Sequence, residues 1–325
     1  MMRSLIQLCA VVAVLLGGYA PAPVDAQNPD GQKAVLVTGA SSGIGRKVTE
    51  VLAERGHFVY AGARKDADLA ELDKIPNVKS VRLDVTEAAD ISAAVALIEK
   101  EGRGLYGIVN NAGVGVFSPM NETPEKDIDF VFDVNVYGPY RINKAFTPML
   151  VESGGRTTTI GSISGFISGP NFGTYSMSKF AVEAYTDALA EEMAESGVHV
   201  SVVEPGSYKS RIREKVTMHA LGKGYRPAEA ASEEEEEQLA QAAARNDALK
   251  EPDEVADAVV HALFAENPKR RYMVAPDEEQ AEITIRTALS RVVQLNADQP
   301  YEYSRDELVA LLDSLLAGET ENAAE

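Results

Sequence analysis

The chain has 325 residues, 45% of them hydrophobic and 25% charged, which is the balance of one large globular domain with appendages. Its formal net charge of −19 argues against nucleic acid as a partner, because phosphates would be repelled. One cysteine and four histidines, with no Cys-x-x-Cys or His-Glu-x-x-His spacing, offer no pattern for a structural or catalytic metal.

Met1-Met2-Arg3 precedes a mostly apolar stretch from Leu5 to Leu16, then Pro21, Pro23 and the small-residue site Val24-Asp25-Ala26. That layout predicts a secretory signal peptide over residues 1–26, cleaved after Ala26. The alternative is an uncleaved membrane anchor, although the apolar run is short against the roughly 20 residues of a span. Either way the expected location is exported or N-terminally anchored, with any membrane association made through this segment. Cys9 lies inside it, so a cleaved chain has no disulfide. No twin arginine marks the chain for export in a folded state.

Val35-Leu36-Val37 reads as a short apolar strand running into Thr38-Gly39-Ala40-Ser41-Ser42-Gly43-Ile44-Gly45, then a helix from Arg46 to Arg55. A tight turn feeding a helix N-terminus aims backbone N–H groups outward in a positive dipole field, which suits a pyrophosphate. Gly39, Gly43 and Gly45 permit the sharp turn and a close approach of backbone to ligand. A plain strand–helix connection is the bland alternative. A second strand, His57 to Gly62, ends at Ala63-Arg64-Lys65. In dinucleotide folds an acid at this strand end reads a ribose 2′-hydroxyl, whereas an arginine accommodates a 2′-phosphate. Arg64 therefore points to NADP, with NAD as the other cofactor in view and a solvated surface arginine as the simpler reading.

Val78 to Leu83 is a third strand, closed by Asp84-Val85; as a bare residue Asp84 could equally cap a helix from Thr86 to Lys100. Leu105 to Asn110 is a fourth strand entering Asn110-Asn111-Ala112-Gly113, where amide side chains can bond neighbouring backbone. Strands alternating with helices predict parallel βαβ units and a doubly wound sheet. Pro124 to Val151 reads as one long helix with Asn135 in an apolar stretch, and a buried amide needs partners. Arg156 to Ile160 is a fifth strand, leading to a loop in which Ser162, Ser164 and Ser168 differ only in position.

A helix from about Thr174 to Glu195 follows, with Phe180, Ala184 and Ala188 as its expected buried stripe. Near its start Tyr175 and Lys179 share one face, one turn apart. A phenol has a reference pKa of about 10, and an ammonium beside it favours the phenolate, which makes a proton-transfer group of an ordinary tyrosine. Val198 to Val203 is a sixth strand, followed by Glu204-Pro205-Gly206 and Ser210. From Ser207 to about Lys250 the chain reads as irregular and then charged, with Glu233 to Glu237 all acidic, a run that suits a solvated helix face or a mobile segment. Its position beyond the sheet predicts a cover over the substrate, with Ile212, Val216, Met218 and Leu221 as an apolar lining. A helix from Pro252 to about Glu266, a last strand from Arg271 to Val274 and two helices over 277–295 and 304–317 complete the chain, residues 277–325 forming a C-terminal extension.

The glycine turn, Asn110-Asn111-Ala112-Gly113, Ser162, Tyr175-x-x-x-Lys179 and Pro205-Gly206 occur in the order seen in short-chain dehydrogenases/reductases, which the chain resembles over roughly residues 33 to 275. Within that family the run Gly104 to Gly113 looks like the branch acting on steroids, retinoids and hydroxybutyrate. The resemblance implies a single α/β Rossmann-type domain over residues 27–325 and reversible hydride transfer between NADP and a secondary alcohol or ketone. It implies a catalytic set of Asn135, Ser162, Tyr175 and Lys179, with Ser162 preferred over Ser164 by alignment and Asn135 bending its helix and holding a water against the lysine. It places Gly39, Ser41, Ser42, Gly43, Ile44, Gly45, Arg64, Asp84, Val85, Asn111, Pro205, Gly206 and Ser210 around the cofactor, together with Tyr175 and Lys179. In particular Ser42 is a second phosphate contact, Asp84 lies beside the adenine amino group, and Ser210 bonds the carboxamide where the family usually has threonine. The expected partner is a small hydrophobic substrate, with a homo-oligomer also in view. An NAD-linked hydroxybutyrate-type dehydrogenase and a non-catalytic nucleotide-binding protein on the same fold are the alternatives.

Overall fold

A computed structural model describes residues 31–221 and 232–322. The expected signal peptide and Cys9 lie outside the described residues. Seven strands form one parallel sheet in the order β3-β2-β1-β4-β5-β6-β7. They are β1 (Ala34–Val37), β2 (Phe58–Ala63), β3 (Val78–Arg82), β4 (Gly107–Asn110), β5 (Arg156–Ile160), β6 (His199–Pro205) and β7 (Arg271–Val274). The central strands are apolar on both faces because helices cover both. Within β1, Val35 and Val37 enter one core and Ala34 and Leu36 the other, as the strand period of two requires.

One face is covered by α1 (Gly43–Glu54), α2 (Asp66–Leu72) and α9 (Asp253–Phe264), through Val48, Leu52, Leu72, Val255, Val259 and Leu263. The other is covered by α3 (Ala88–Glu101), α4 (Glu125–Phe132) and α5 (Gly138–Ser153), through Ile91, Ile98, Val131, Ile142, Phe146 and Leu150. The chain winds outward from β1 to β3, then returns to pair β4 with β1 (Val35 opposite Gly107, Val37 opposite Val109). This reversal opens a crevice beyond the carboxyl ends of β1 and β4, where ligands of doubly wound sheets bind.

Several local expectations are corrected. The helix expected over Pro124 to Val151, with a bend at Asn135, is divided by a π-helical turn at Asp133–Tyr137, which holds Asn135. On α6 (Gly173–Ala194) Ala184 and Ala188 are exposed and Phe180 is half-buried. The buried face is instead largely polar: Ser178, Lys179, Val182, Glu183 and Thr186. Alanine spacing mimicked a core stripe, whereas this helix buries its working residues. The first α1 residue is Gly43, so the helix begins inside the glycine motif.

The segment read as irregular and then charged contains two helices, α7 (Ile212–Ala220) in its first part and α8 (Glu233–Asp247) in its charged part. The acidic run is the start of α8, where Ser232 and Glu235 form a reciprocal capping box and four glutamates stand in the first turn. Acids there complement the helix dipole, so the run is a helix N-terminus. Finally, α10 (Glu278–Asn296) and α11 (Arg305–Asn322) form the C-terminal helices.

Candidate active site

The glycine turn is built by two strand ends held together. Thr38 Oγ1 accepts from the N–H groups of Asn111 and Ala112, each at 3.0 Å. Asn111 Nδ2 donates to the carbonyls of Thr38 (2.9 Å) and Gly39 (3.1 Å). Gly39 has φ +66°, and a Cβ there would lie 2.9 Å from Ala112 Cα. Glycine is required on both counts. Gly39, Ser41, Ser42, Gly43 and Ile44 line a cavity of about 860 Å³ at the N-terminus of α1. Gly45 is buried behind the turn against Asn111 and does not line the cavity.

Arg64, Asp84 and Val85 form the next stretch of wall. Arg64 Nη1 donates to Asp84 Oδ2 at 3.3 Å, while Asp84 Oδ1 accepts from the N–H and hydroxyl of Thr86 at 3.1 and 2.8 Å. Burial alone would raise the Asp84 carboxyl, but these Thr86 bonds and the Arg64 charge hold it below the ordinary value. Asp84 thus closes a turn at Thr86 and does not cap α3, whose N-cap is Glu87.

At the far end of the cavity Ser162, Tyr175 and Lys179 converge. Ser162 follows β5, and its Oγ accepts from the N–H of Ser164 at 3.1 Å and donates to the Pro205 carbonyl at 3.4 Å. Ser164 and Ser168 also line the cavity, but the hydrogen bond to the Tyr175 phenol belongs to Ser162. Lys179 Nζ lies 5.6 Å from the centre of the Tyr175 ring and donates to the Ile160 carbonyl at 2.8 Å. Asn135 lies behind this group, outside the cavity lining. Its Oδ1 accepts from Val114 N at 2.9 Å, and its Nδ2 donates to Val114 O at 2.9 Å and Ser178 Oγ at 3.0 Å. The amide clamps the segment that leaves β4 to the helix that presents the tyrosine. Pro205, Gly206 and Ser210 complete the wall, and the Ser210 N–H donates to Asn246 Oδ1 on α8 at 2.9 Å.

The sequence pattern of the family described as short chain dehydrogenase matches residues 33–220. The chain belongs to this family. It is 35% identical over 245 residues to the uncharacterized oxidoreductase YbbO of Escherichia coli (strain K12), covering 75% of this chain and 86% of that one. It is 37% identical over 191 residues to mitochondrial D-beta-hydroxybutyrate dehydrogenase of Bos taurus, covering 56% of each chain. Among solved structures it resembles a short chain dehydrogenase from Burkholderia cenocepacia J2315 in complex with NADP, with TM-score 0.63 and 25% identity, covering 83% of this chain and 98% of that one. A short chain dehydrogenase/reductase from Burkholderia phymatum in complex with NAD shares the fold, with TM-score 0.68, 23% identity and coverage of 84% and 98%. This short-chain dehydrogenase is an NAD(P)-dependent oxidoreductase acting on alcohol and ketone groups.

The electrostatics of the dehydrogenase differ from the simple expectation that Lys179 lowers the tyrosine. Burial pushes the Tyr175 phenol up to about 12, and its hydrogen bond with Ser162 acts in the opposite direction. Burial also pushes the Lys179 ammonium down to about 8, opposed by the nearby Glu183 carboxylate. In both groups burial is the largest cause of the shift.

Residues that sequence reasoning passed over surround the same site. Glu183, one turn beyond Lys179, meets Glu204 and the guanidinium of Arg271, which lies 3.2 Å from Glu183 and 3.4 Å from Glu204. Only the spacing of Glu183 from Lys179 was visible beforehand. The apolar end of the cavity draws Phe117 and Phe172, whose ring centres lie 4.3 Å apart, together with Met218, Leu239 and Ile283. Met218, on α7, belongs to the apolar lining expected of the cover, whereas Leu239 on α8 and Ile283 on α10 are marked by no sequence motif.

Proposed function

We propose that the chain catalyses reversible hydride exchange between NADP and a secondary alcohol or ketone whose body is apolar, such as a steroid, retinoid or other lipid-like molecule. The observation that carries this reading is the meeting of Ser162, Tyr175 and Lys179 at an apolar end of the cavity whose other end is the glycine turn. The turn fits a dinucleotide phosphate: Gly39 and Gly43, where Cβ atoms would come within 2.9 Å of Ala112 and 3.1 Å of Ser210, present bare backbone to the cavity at the N-terminus of α1. Arg64 would take a 2′-phosphate, and Asp84 and Val85 the adenine side.

When bound, the nicotinamide supplies or accepts the hydride. Tyr175 passes a proton to the substrate oxygen in reduction and takes it back in oxidation. Ser162 donates a hydrogen bond to that oxygen and stabilises the charge developing there. Lys179, fixed by the Ile160 carbonyl, holds a positive charge beside the phenol as it gives up its proton. Asn135 keeps the two supporting elements in register. Phe117, Phe172, Met218 and Ile283 exclude water and favour an apolar substrate.

The test is turnover of the purified chain with NADPH or NADH against apolar ketones, steroids, retinoids and 3-hydroxybutyrate, read at the nicotinamide absorbance band. Oxidation of NADPH by apolar ketones is the expected result. Turnover confined to hydroxybutyrate with NAD would establish the NAD-linked alternative. Cofactor binding without any turnover would point to a non-catalytic role. Export or anchoring through residues 1–26 belongs to the same proposal and is checked by N-terminal sequencing of the mature chain.

A further inference from the structure

The cavity is charged in the opposite sense to the protein around it. The chain has 50 acidic against 31 basic residues, yet Arg64, Lys65, Arg211 and Lys215 line one stretch of the cleft with only Asp68, Asp84 and Glu214 facing them. Two of these acids are already engaged. Asp84 accepts from Arg64, and Glu214 accepts two bonds from Arg211, at 2.9 Å each. Among the described residues no carboxylate is bonded to Lys215. A half-buried lysine among like charges is costly unless an anion shares the site. Burial pushes its ammonium down, and Arg64, Arg211 and Lys65 push further in the same direction, with Glu214 alone opposing.

Lys215 belongs to α7, in the segment that follows β6, whereas Arg64 ends β2. The two cations approach the cavity from different elements. The junction before α7 is anchored: Ser210 lies against Gly43, and its N–H bonds Asn246 on α8. Met218 stands three residues beyond Lys215, on the same face of the helix, and lines the apolar end.

We propose that Lys215 is a second reader of the cofactor's 2′-phosphate, reaching it from α7 opposite Arg64, so that recognition of NADP seats the helix that shapes the substrate pocket. The inference rests on the NADP reading given above. A phosphate has three strong acceptor oxygens, enough for the planar fork of Arg64 and the point charge of Lys215 together. NAD lacks this group and offers Lys215 nothing to bind. Seating of Lys215 also sets Met218, so the choice of cofactor reaches the substrate through one helix.

The experiment compares wild type, Lys215→Met, Lys215→Arg and Arg64→Leu as full chains. NADPH and NADH affinities are measured by cofactor fluorescence, and KM for an apolar ketone at saturating levels of each. The expected result for Lys215→Met is NADPH affinity about tenfold or more weaker, the scale of one charge-assisted hydrogen bond, with NADH affinity nearly unchanged. Its ketone KM rises with NADPH and not with NADH, and Lys215→Arg recovers much of both losses. Unchanged NADH binding shows that the variant is folded. Equal loss of both cofactors, or no loss of either, overturns the clasp. If wild type prefers NADPH and Arg64→Leu abolishes that preference while Lys215→Met keeps it, the NADP reading stands and the clasp falls. If wild type shows no preference for NADPH, both fall together.

Discussion

Gln280, in the first turn of α10, accepts a hydrogen bond from the backbone N–H of Ser207 at 2.7 Å. Asp277 orients the amide, accepting from Gln280 N at 2.8 Å and from Nε2 at 2.7 Å. A helix from the C-terminal extension is thereby fastened to the turn after β6, and it brings Ile283 and Thr287 to the cavity. Gln280→Ala leaves the part-buried Ser207 N–H without this acceptor, a cost at the low end of the roughly 1–3 kcal/mol of a fully buried donor. KM for an apolar ketone should rise severalfold with kcat less affected. Gln280→Glu keeps the acceptor but loses the Nε2 donor and sets a second carboxylate against Asp277, so it should recover only part of the loss. Steady-state kinetics on the three proteins check this; an unchanged KM would detach α10 from substrate binding.

Tyr175→Phe keeps the ring on Phe117 but removes the proton. The expected loss in kcat is at least about 10²-fold, the lower end of general acid–base contributions, with cofactor affinity retained. Single-turnover hydride transfer at saturating cofactor measures it. Near-wild-type turnover would take the phenol out of the mechanism.

Gly45 has no room for a side chain: a Cβ would lie 2.3 Å from Asn111 Nδ2 and 2.4 Å from the Gly39 carbonyl oxygen. Gly45→Ala is expected to destabilise the fold by about 1–3 kcal/mol, as overpacking does, and to weaken cofactor binding by moving the turn. Urea unfolding reads the first effect and NADPH titration the second. Wild-type stability in this variant would mean that the two strand ends separate freely.

Burial pushes the Glu204 carboxyl up to about 9, with Glu183 adding to the rise and Arg271 opposing it. The folded protein therefore keeps a proton that the unfolded chain releases near 4.5. Its contribution to stability is complete below that lower value and is lost as pH rises through the higher one. Glu204→Gln keeps a donor toward Glu183 without the titration, so its stability should fall less steeply between about pH 5 and about pH 9 than that of wild type, by up to roughly 1 kcal/mol per pH unit. Thermal melts across this range decide it, and parallel profiles would exclude Glu204 as the group responsible.

Much of this architecture was legible in the residues. Strands β5 and β7 fall where apolar and β-branched runs predict them, and the Tyr175–Lys179 spacing fixes its own helix face. The buried face of α6 was not legible, because Ser178 and Glu183 look like surface residues until Asn135 meets the first and Glu204 and Arg271, from β6 and β7, meet the second. The acidic run at the start of α8 is a solvated helix face, one of the two readings of that run, while the capping box of Ser232 and Glu235 that begins the helix was overlooked. Glu204 lay beyond any local pattern, since its partners come from α6 and β7. The same holds for Lys215, which meets Arg64 only once the cleft has formed.

The π-helical turn at Asp133–Tyr137 sets the phase between α4 and α5. Removing one residue from it would restore an uninterrupted α-helical ladder, yet turn everything on α4 by about 100° relative to α5. Val131 would leave the core and Asn135 would lose Val114, while Ile142 and Phe146 stayed in place. A shortening that makes the helix more regular is therefore the change this segment can least tolerate, and side-chain substitution is the route by which it can vary.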